Sequence, residues 1–175
     1  MLDVIIIGAG FSGLYQLHSL RDKLNLNCHL FEMGDEIGGT WYWNSYPGAR
    51  CDTESQAYCY YFDKKIYNKW NWTERYPAQS EIQDYLKFVA KELNLNKNIS
   101  LSSKVIKMNY IEDLNKWKIV LENGKSIESR FVVTAVGCLS KPNTPKISSI
   151  ENFKGRILHS AKWPKENIDL SLIHI

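Results

Sequence analysis

The chain has 175 residues, 44% of them hydrophobic and 23% charged, with a formal net charge of +3. That length supports one domain with a real core, and the composition is ordinary for a soluble globular protein. The small, scattered charge gives no argument for nucleic acid or an anionic membrane surface as partner, and no apolar run approaches the ~20 residues that span a bilayer.

The first run, Val4-Ile-Ile-Ile7, is short and continuously apolar. It suits a central parallel strand covered on both faces. No basic leader or cleavage site precedes it. The four cysteines, Cys28, Cys51, Cys59 and Cys138, form no C-x-x-C. Reduced thiols in a cytoplasm are therefore expected, with a disulfide or zinc site as the alternative.

Gly8-Ala9-Gly10-Phe11-Ser12-Gly13 follows the strand directly, and Leu14, Leu17 and Leu20 then recur at helical spacing to about Leu24. The next apolar run, Cys28 to Phe31, ends in Glu32, 22 positions after Gly10. Strand, G-x-G-x-x-G, helix and a spaced acid make up the dinucleotide fingerprint in its required context. Gly8 permits the tight turn, Gly10 lets a pyrophosphate approach the backbone, and Gly13 lets the helix pack on the strand. The helix start offers free amides and partial positive charge to phosphates. Glu32 suits ribose hydroxyls and repels a 2′-phosphate, so the nucleotide here is FAD or NAD rather than NADP. The competing reading is a glycine turn in an unrelated α/β unit, with Glu32 a solvated strand end.

Residues 38 to 62 are dense in aromatics, broken by Gly38, Gly39, Pro47 and Gly48, and show no sustained period. Rings that bury 150–250 Å² each are costly to leave in water, which predicts an irregular loop facing a planar cofactor. Residues 68 to 77 continue in the same irregular, aromatic manner. Ser80 reads as an N-cap with Gln83 as its capping-box partner, starting a core helix that runs to about Leu95. From Ile99 the pattern turns β-like, with runs at Ile99, Val105–Tyr110 and Trp117–Leu121. A turn at Asn123-Gly124 leads to a return strand, Ser126–Arg130. Val105 and Ile106 sit where a strand can touch a nucleotide base. Phe131 to Gly137 reads as a second buried parallel strand, residues 141 to 145 as a linker, and Arg156 to His159 as a short strand. The fold class is α/β: a Rossmann-like FAD-binding domain, a parallel sheet with a β-meander insertion, and incomplete.

Four segments make the chain resemble the N-terminal part of the Baeyer–Villiger monooxygenases, the class B flavoprotein monooxygenases close to phenylacetone and cyclohexanone monooxygenases. They are Gly8–Gly13, Gly38–Asp52, Asn71–Tyr76, and Phe153-x-Gly155-x-x-x-His159-x-x-x-Trp163-Pro164. The last agrees with the family's F-x-G-x-x-x-H-x-x-x-W-P at every defined position. Ser45 is a departure, since relatives usually carry Arg there.

The resemblance implies that Ser12 and the glycines hold the FAD pyrophosphate and Glu32 its ribose. It implies that Thr40, Trp41, Tyr42, Trp43, Asp52, Tyr58 and Val105 line FAD, and that Arg50, Cys51 and Asp52 also meet NADP. Asp52 resembles the active-site acid that orients a catalytic arginine, here beyond the chain. Phe153, Gly155, His159 and Trp163 belong to the linker between FAD and NADPH domains, with His159 in a conformational role. The implied activity uses NADPH and O2 to convert ketones to esters or lactones through a flavin peroxide. Oxidation of nitrogen or sulfur, and a catalytically inactive FAD-binding fragment, are the alternatives. The implied organisation is an FAD-binding part over 1–150, a linker over 151–169 toward a missing NADPH domain, and a non-native tail over 170–175. No second G-x-G-x-x-G follows Gly13.

Overall fold

A computed structural model describes residues 1–166 and 168–171. The last four residues of the expected tail, with His174 among them, lie outside the described residues.

The first strand, β1 (Leu2–Ile7), leads through the glycine turn into helix α1 (Phe11–His18), which continues as a wider π-type turn over Ser19–Lys23. Strand β2 (Cys28–Phe31) follows, then a one-turn helix α2 (Thr40–Trp43), α3 (Lys64–Lys69) and α4 (Gln79–Glu92). Four more strands follow: β3 (Ile99–Ser100), β4 (Val105–Ile111), β5 (Lys116–Leu121) and β6 (Ser126–Thr134). They form one six-stranded sheet in the order β3-β2-β1-β6-β5-β4. The β3, β2, β1 and β6 neighbours pair in parallel, and β6, β5 and β4 form an antiparallel meander.

β1 is covered on both faces, as its unbroken apolar run requires. Val4 and Ile6 pack with Leu14 and Leu17 of α1 and with Tyr85, Leu86 and Val89 of α4. Ile5 faces the other way, against Phe31, Ile119 and Leu121. Each fully buried aliphatic side chain stabilises the fold by about 1.5–3 kcal/mol. The apolar stripe of α4 therefore serves as core.

Four local expectations change. The return strand and the parallel strand are one element. β6 pairs with β5 over Ser126–Ser129 and with β1 from Ser129 to Thr134. Past Ser129 its β5 side has no partner strand among the described residues, and Phe131 is 54% exposed rather than buried. Residues 156 to 159 have no strand partner and are not a strand. α3 lies between the two stretches read as irregular and takes in Asn68 and Lys69 of the second; Asp63 caps it by accepting from Lys65 N–H (2.7 Å), and Ile66 is its only buried residue. Ser80 does not cap α4. The helix begins at Gln79 after Ala78, and the Gln83 side chain turns away to another segment.

The far end of α4 is held by a residue from α1's continuation. Arg21 donates to Leu93 O (2.8 Å), Asn94 O (2.9 Å) and Asn98 Oδ1 (3.0 Å), and its Nε meets Asp22 Oδ1 at 2.6 Å. Carbonyls at a helix end have no acceptor role left within the helix, so a guanidinium satisfies them well. The same guanidinium holds the Asp22 carboxyl below its usual 3.8. Arg21→Ala is expected to lower the unfolding free energy by about 2 kcal/mol, read from urea denaturation. A depressed carboxyl stabilises above its unfolded pKa and loses that contribution as pH falls through the folded value. The Arg21→Ala deficit should therefore shrink on acidification; a deficit constant from pH 7 to pH 2 would contradict the pairing.

Candidate functional site

A cleft of about 350 Å³ opens at the carboxyl ends of β1 and β2. β1 lies between β2, which follows it in sequence, and β6, which returns from the other side. This is the switch point at which open α/β sheets bind ligands. The glycine turn forms one wall. Gly8 has φ +105°, and a Cβ there would lie 2.6 Å from Ala135 O. A Cβ on Gly13 would lie 1.8 Å from Gly8 O, so α1 can approach β1 only because that atom is missing. Gly8, Gly10 and Ser12 line the cleft, while Gly13 supports the turn from within. Gly10 precedes α1 and brings no side-chain cap, and the first amides of a helix have no acceptor within it. Those N–H groups suit an anion.

Glu32 lies at the second wall and is 5% exposed. Its Oε2 accepts from Ala9 N–H and its Oε1 from Gly34 N–H, both at 2.7 Å. Gly38 N–H returns to Ala9 O at 3.1 Å. The acid thus ties the glycine turn to the segment that carries α2, and its remaining lone pairs are free for ribose hydroxyls.

Gly38 and Gly39, with φ of +153° and +53°, bring that segment beside the glycine turn. A Cβ on Gly39 would lie 2.7 Å from Gly10 Cα. In α2, successive side chains fan out by about 100°. Thr40, Trp41 and Trp43 fall on one side and line the cleft. Tyr42 falls on the other: its hydroxyl donates to Asp35 Oδ1 (2.5 Å), and Lys165 lies over its ring. Tyr42 is thus not among the residues that line this cleft. Tyr58 and Val105 also line the cleft. Trp41 Nε1–H donates to Tyr58 Oη at 3.1 Å, and the rings meet edge-on. Burial pushes the Tyr58 phenol above its ordinary pKa against the opposing Trp41 bond, and the nearby Cys51 and Asp52 add to the rise.

Arg50, Cys51 and Asp52 stand outside the cleft lining. Their backbone runs against residues 75–79, with Cys51 N–H donating to Pro77 O (3.0 Å) and Ser55 N–H to Arg75 O (2.7 Å). Arg50 pairs with Glu74 and donates to Tyr76 O. Cys51 is buried against Trp41 and Ile82. Asp52 is exposed, with Oδ1 3.5 Å from Thr53 Oγ1.

The distant motif is also off the cleft. Phe153 is exposed and packs over Gly155, where a Cβ would lie 2.3 Å from the ring. His159 Nδ1 accepts from Ala161 N–H (3.1 Å), which leaves Nε2–H to donate to Asn143 O (3.2 Å). Trp163 is half-buried, and Lys165 beyond it pairs with Asp35. Sequence reasoning missed Met33, Ser103, Lys104 and the Ala135–Gly137 segment that follows β6 as lining. The glycine closing the apolar run at Gly137 was the available signal for the last. A larger cleft of about 750 Å³, lined by Glu54, Ser55, Cys59, Trp70, Trp72 and Arg75, contains no glycine turn and no helix start.

Fold and cleft together define a dinucleotide-binding α/β domain. Residues 2–169 match the family model described as flavin-binding monooxygenase-like, and the chain belongs to that family. It is 43% identical over 169 residues to a Baeyer–Villiger monooxygenase of Pseudooceanicola batsensis, covering 97% of this chain and 31% of that protein. A phenazine N-monooxygenase of Lysobacter antibioticus is 42% identical, with 97% and 31% covered. Among solved structures, an ε-caprolactone-bound cyclohexanone monooxygenase superposes with a TM-score of 0.90 at 37% identity, over 95% of this chain and 33% of that one. The chain spans about a third of the length of these relatives. No helix of the described residues is long and apolar enough to cross a membrane.

Glu32→Gln tests the clamp. The amide keeps one acceptor but turns a donor toward a second N–H. Unfolding is expected to be easier by about 1–3 kcal/mol. An unchanged urea midpoint would mean that the two amides do not depend on the carboxylate.

Proposed function

We propose that this chain is the FAD-binding part, over residues 1–150, of an NADPH- and O2-dependent monooxygenase of Baeyer–Villiger type that converts ketones to esters or lactones. Residues 151–169 serve as the linker toward an NADPH-binding domain. The four free cysteines suit a reducing cytoplasm. The observation that carries the reading is the cleft itself: a wall of side-chain-free backbone, the start of α1 and a buried acid at one switch point. A pyrophosphate fits the amides around Gly10 and Ser12, a ribose fits Glu32, and a flat ring system fits the side lined by Thr40, Trp41, Trp43 and Tyr58. Val105, at the start of β4, suits the adenine.

When bound, the flavin supplies the electron transfer from NADPH and the activation of O2. The chain's own residues set the conditions. Trp41 and Tyr58 exclude water from one side of the cleft. Asp52, exposed beside the buried Cys51, orients an arginine from outside this chain, and a charge-assisted pair of that kind is strong and directional. Arg50 and Cys51 carry Asp52 and border the NADP side. The hydrogen bonds of His159 to residues 143 and 161 fix the linker's path, which supports positioning rather than proton transfer.

The Pseudooceanicola relative and the complete Phe153–Pro164 fingerprint favour ketones. The phenazine N-monooxygenase, nearly as similar, favours oxidation at nitrogen. NADPH oxidation by the whole protein, assayed on ketones, amines and sulfides, decides between them: ester or lactone is expected, and N-oxide alone would transfer the assignment. In the same protein, Asp52→Ala is expected to cut ester formation about 100-fold or more while FAD retention changes little. Unchanged ketone turnover would remove Asp52 from the site.

A further inference from the structure

The aromatic turn cannot hold itself in place. α2 is four residues long and is preceded by Gly38 and Gly39, both at positive φ. An isolated helical turn is unstable, because nucleation fixes several dihedrals for one hydrogen bond. Two flexible residues before it add conformational freedom. Yet Trp41 and Trp43 line the cleft at defined positions. Something outside the turn has to orient it.

α4 supplies that support through two amide side chains one turn apart. Gln79 Nε2–H donates to Trp41 O. Gln83 Nε2–H donates to Ile37 O (3.1 Å) and to Glu36 Oε2 (2.9 Å), and Gln79 Nε2 also lies 3.3 Å from Gln83 Oε1. The two glutamines thus grip the carbonyl within α2 and the one just before its glycines. Ile82, between them in sequence and fully buried, packs with Trp41 and Cys51. Gly38 is close enough that a Cβ would lie 3.1 Å from Gln83 Cγ. Both glutamines are half-buried, where a donor to a carbonyl is worth more than in water.

We propose that Gln79 and Gln83 are positioning residues for the flavin-facing turn, setting the placement of Trp41 and Trp43 without touching the cofactor. This rests on the flavin reading of the cleft. The position three residues after Ser80 thus carries a glutamine for a tertiary reason, not as a capping partner.

The variants are Gln79→Glu, Gln79→Met and Gln83→Met in the 175-residue chain. Hydrogen exchange is read at the amides of residues 41–44, whose bonds run to Gly38 O, Gly39 O and Thr40 O. FAD affinity and flavin emission are measured alongside, with urea denaturation as the control. Each variant is expected to speed exchange at residues 41–44 about tenfold or more. Each should weaken FAD about tenfold, the worth of one such hydrogen bond, and raise the emission of bound flavin as stacked rings loosen. Gln79→Glu should exceed Gln79→Met, since a carboxylate repels the Trp41 carbonyl. Unchanged exchange at residues 41–44 would overturn the proposal. So would exchange that quickens equally across α4 and the sheet with a lowered urea midpoint, the mark of a merely structural role. If the unaltered chain fails to bind FAD, the flavin reading falls, while the exchange data still decide whether the glutamines orient the turn.

Discussion

Two short hydrogen bonds to one buried carboxylate hold the cleft in shape. Glu32 accepts from Ala9 on the glycine turn and from Gly34 on the segment that leads to α2. Neither wall is regular structure, so neither has ladder or helix partners for its amides. Buried amides without acceptors are costly, and a charged acceptor satisfies them strongly. Glu32 sits at the end of β2, whose register with β1 is fixed by four paired residues. The sheet therefore places the acid, the acid places the two walls, and the walls define the cleft. The glycines make this geometry possible: α1 on β1 through Gly13 and Gly8, and Gly39 on Gly10. Each close approach is backbone on backbone, where a side chain has nowhere to go.

Around that centre the aromatic residues divide by function. Trp41, Trp43 and Tyr58 face the cleft, whereas Tyr60, Tyr85, Trp70 and Trp72 pack with one another and with Phe11 in the core beside α4. Tyr60 Oη donates to Phe11 O at 2.5 Å, so this cluster also touches the start of α1. Support thus reaches the cleft from three directions: β2 through Glu32, α4 through its glutamines, and the aromatic core through Phe11 and Tyr58.

The strand, glycine turn, helix and spaced acid were legible because each has a local signature, and β1, α1, β2 and Glu32 lie where that signature predicts. The meander was legible from its β-like runs and Asn123-Gly124. What was not legible depends on partners distant in sequence. Gln83 fits a capping box on paper, but its amide finds the Ile37 carbonyl instead. β6 reads as two strands because it changes partner at Ser129. Residues 156–159 have strand composition and no strand to pair with. Tyr42 sits in an aromatic run that reads as uniformly cofactor-facing, and only the helical twist of α2 turns it outward. Asp52 was singled out by resemblance; its place, exposed and outside the cleft lining, was not to be read from composition or spacing.

On the proposed function, the cleft between the glycine turn and α2 is where this flavin-binding monooxygenase-like chain takes up FAD. Amide NMR of the isotope-labelled chain during FAD titration tests it most directly. Shifts are expected at Gly10, Phe11, Ser12 and Gly13 and at the Trp41 indole N–H, with little change at residues lining the 750 Å³ cleft near Trp72. Shifts confined to that larger cleft, with the glycine turn unmoved, would contradict it.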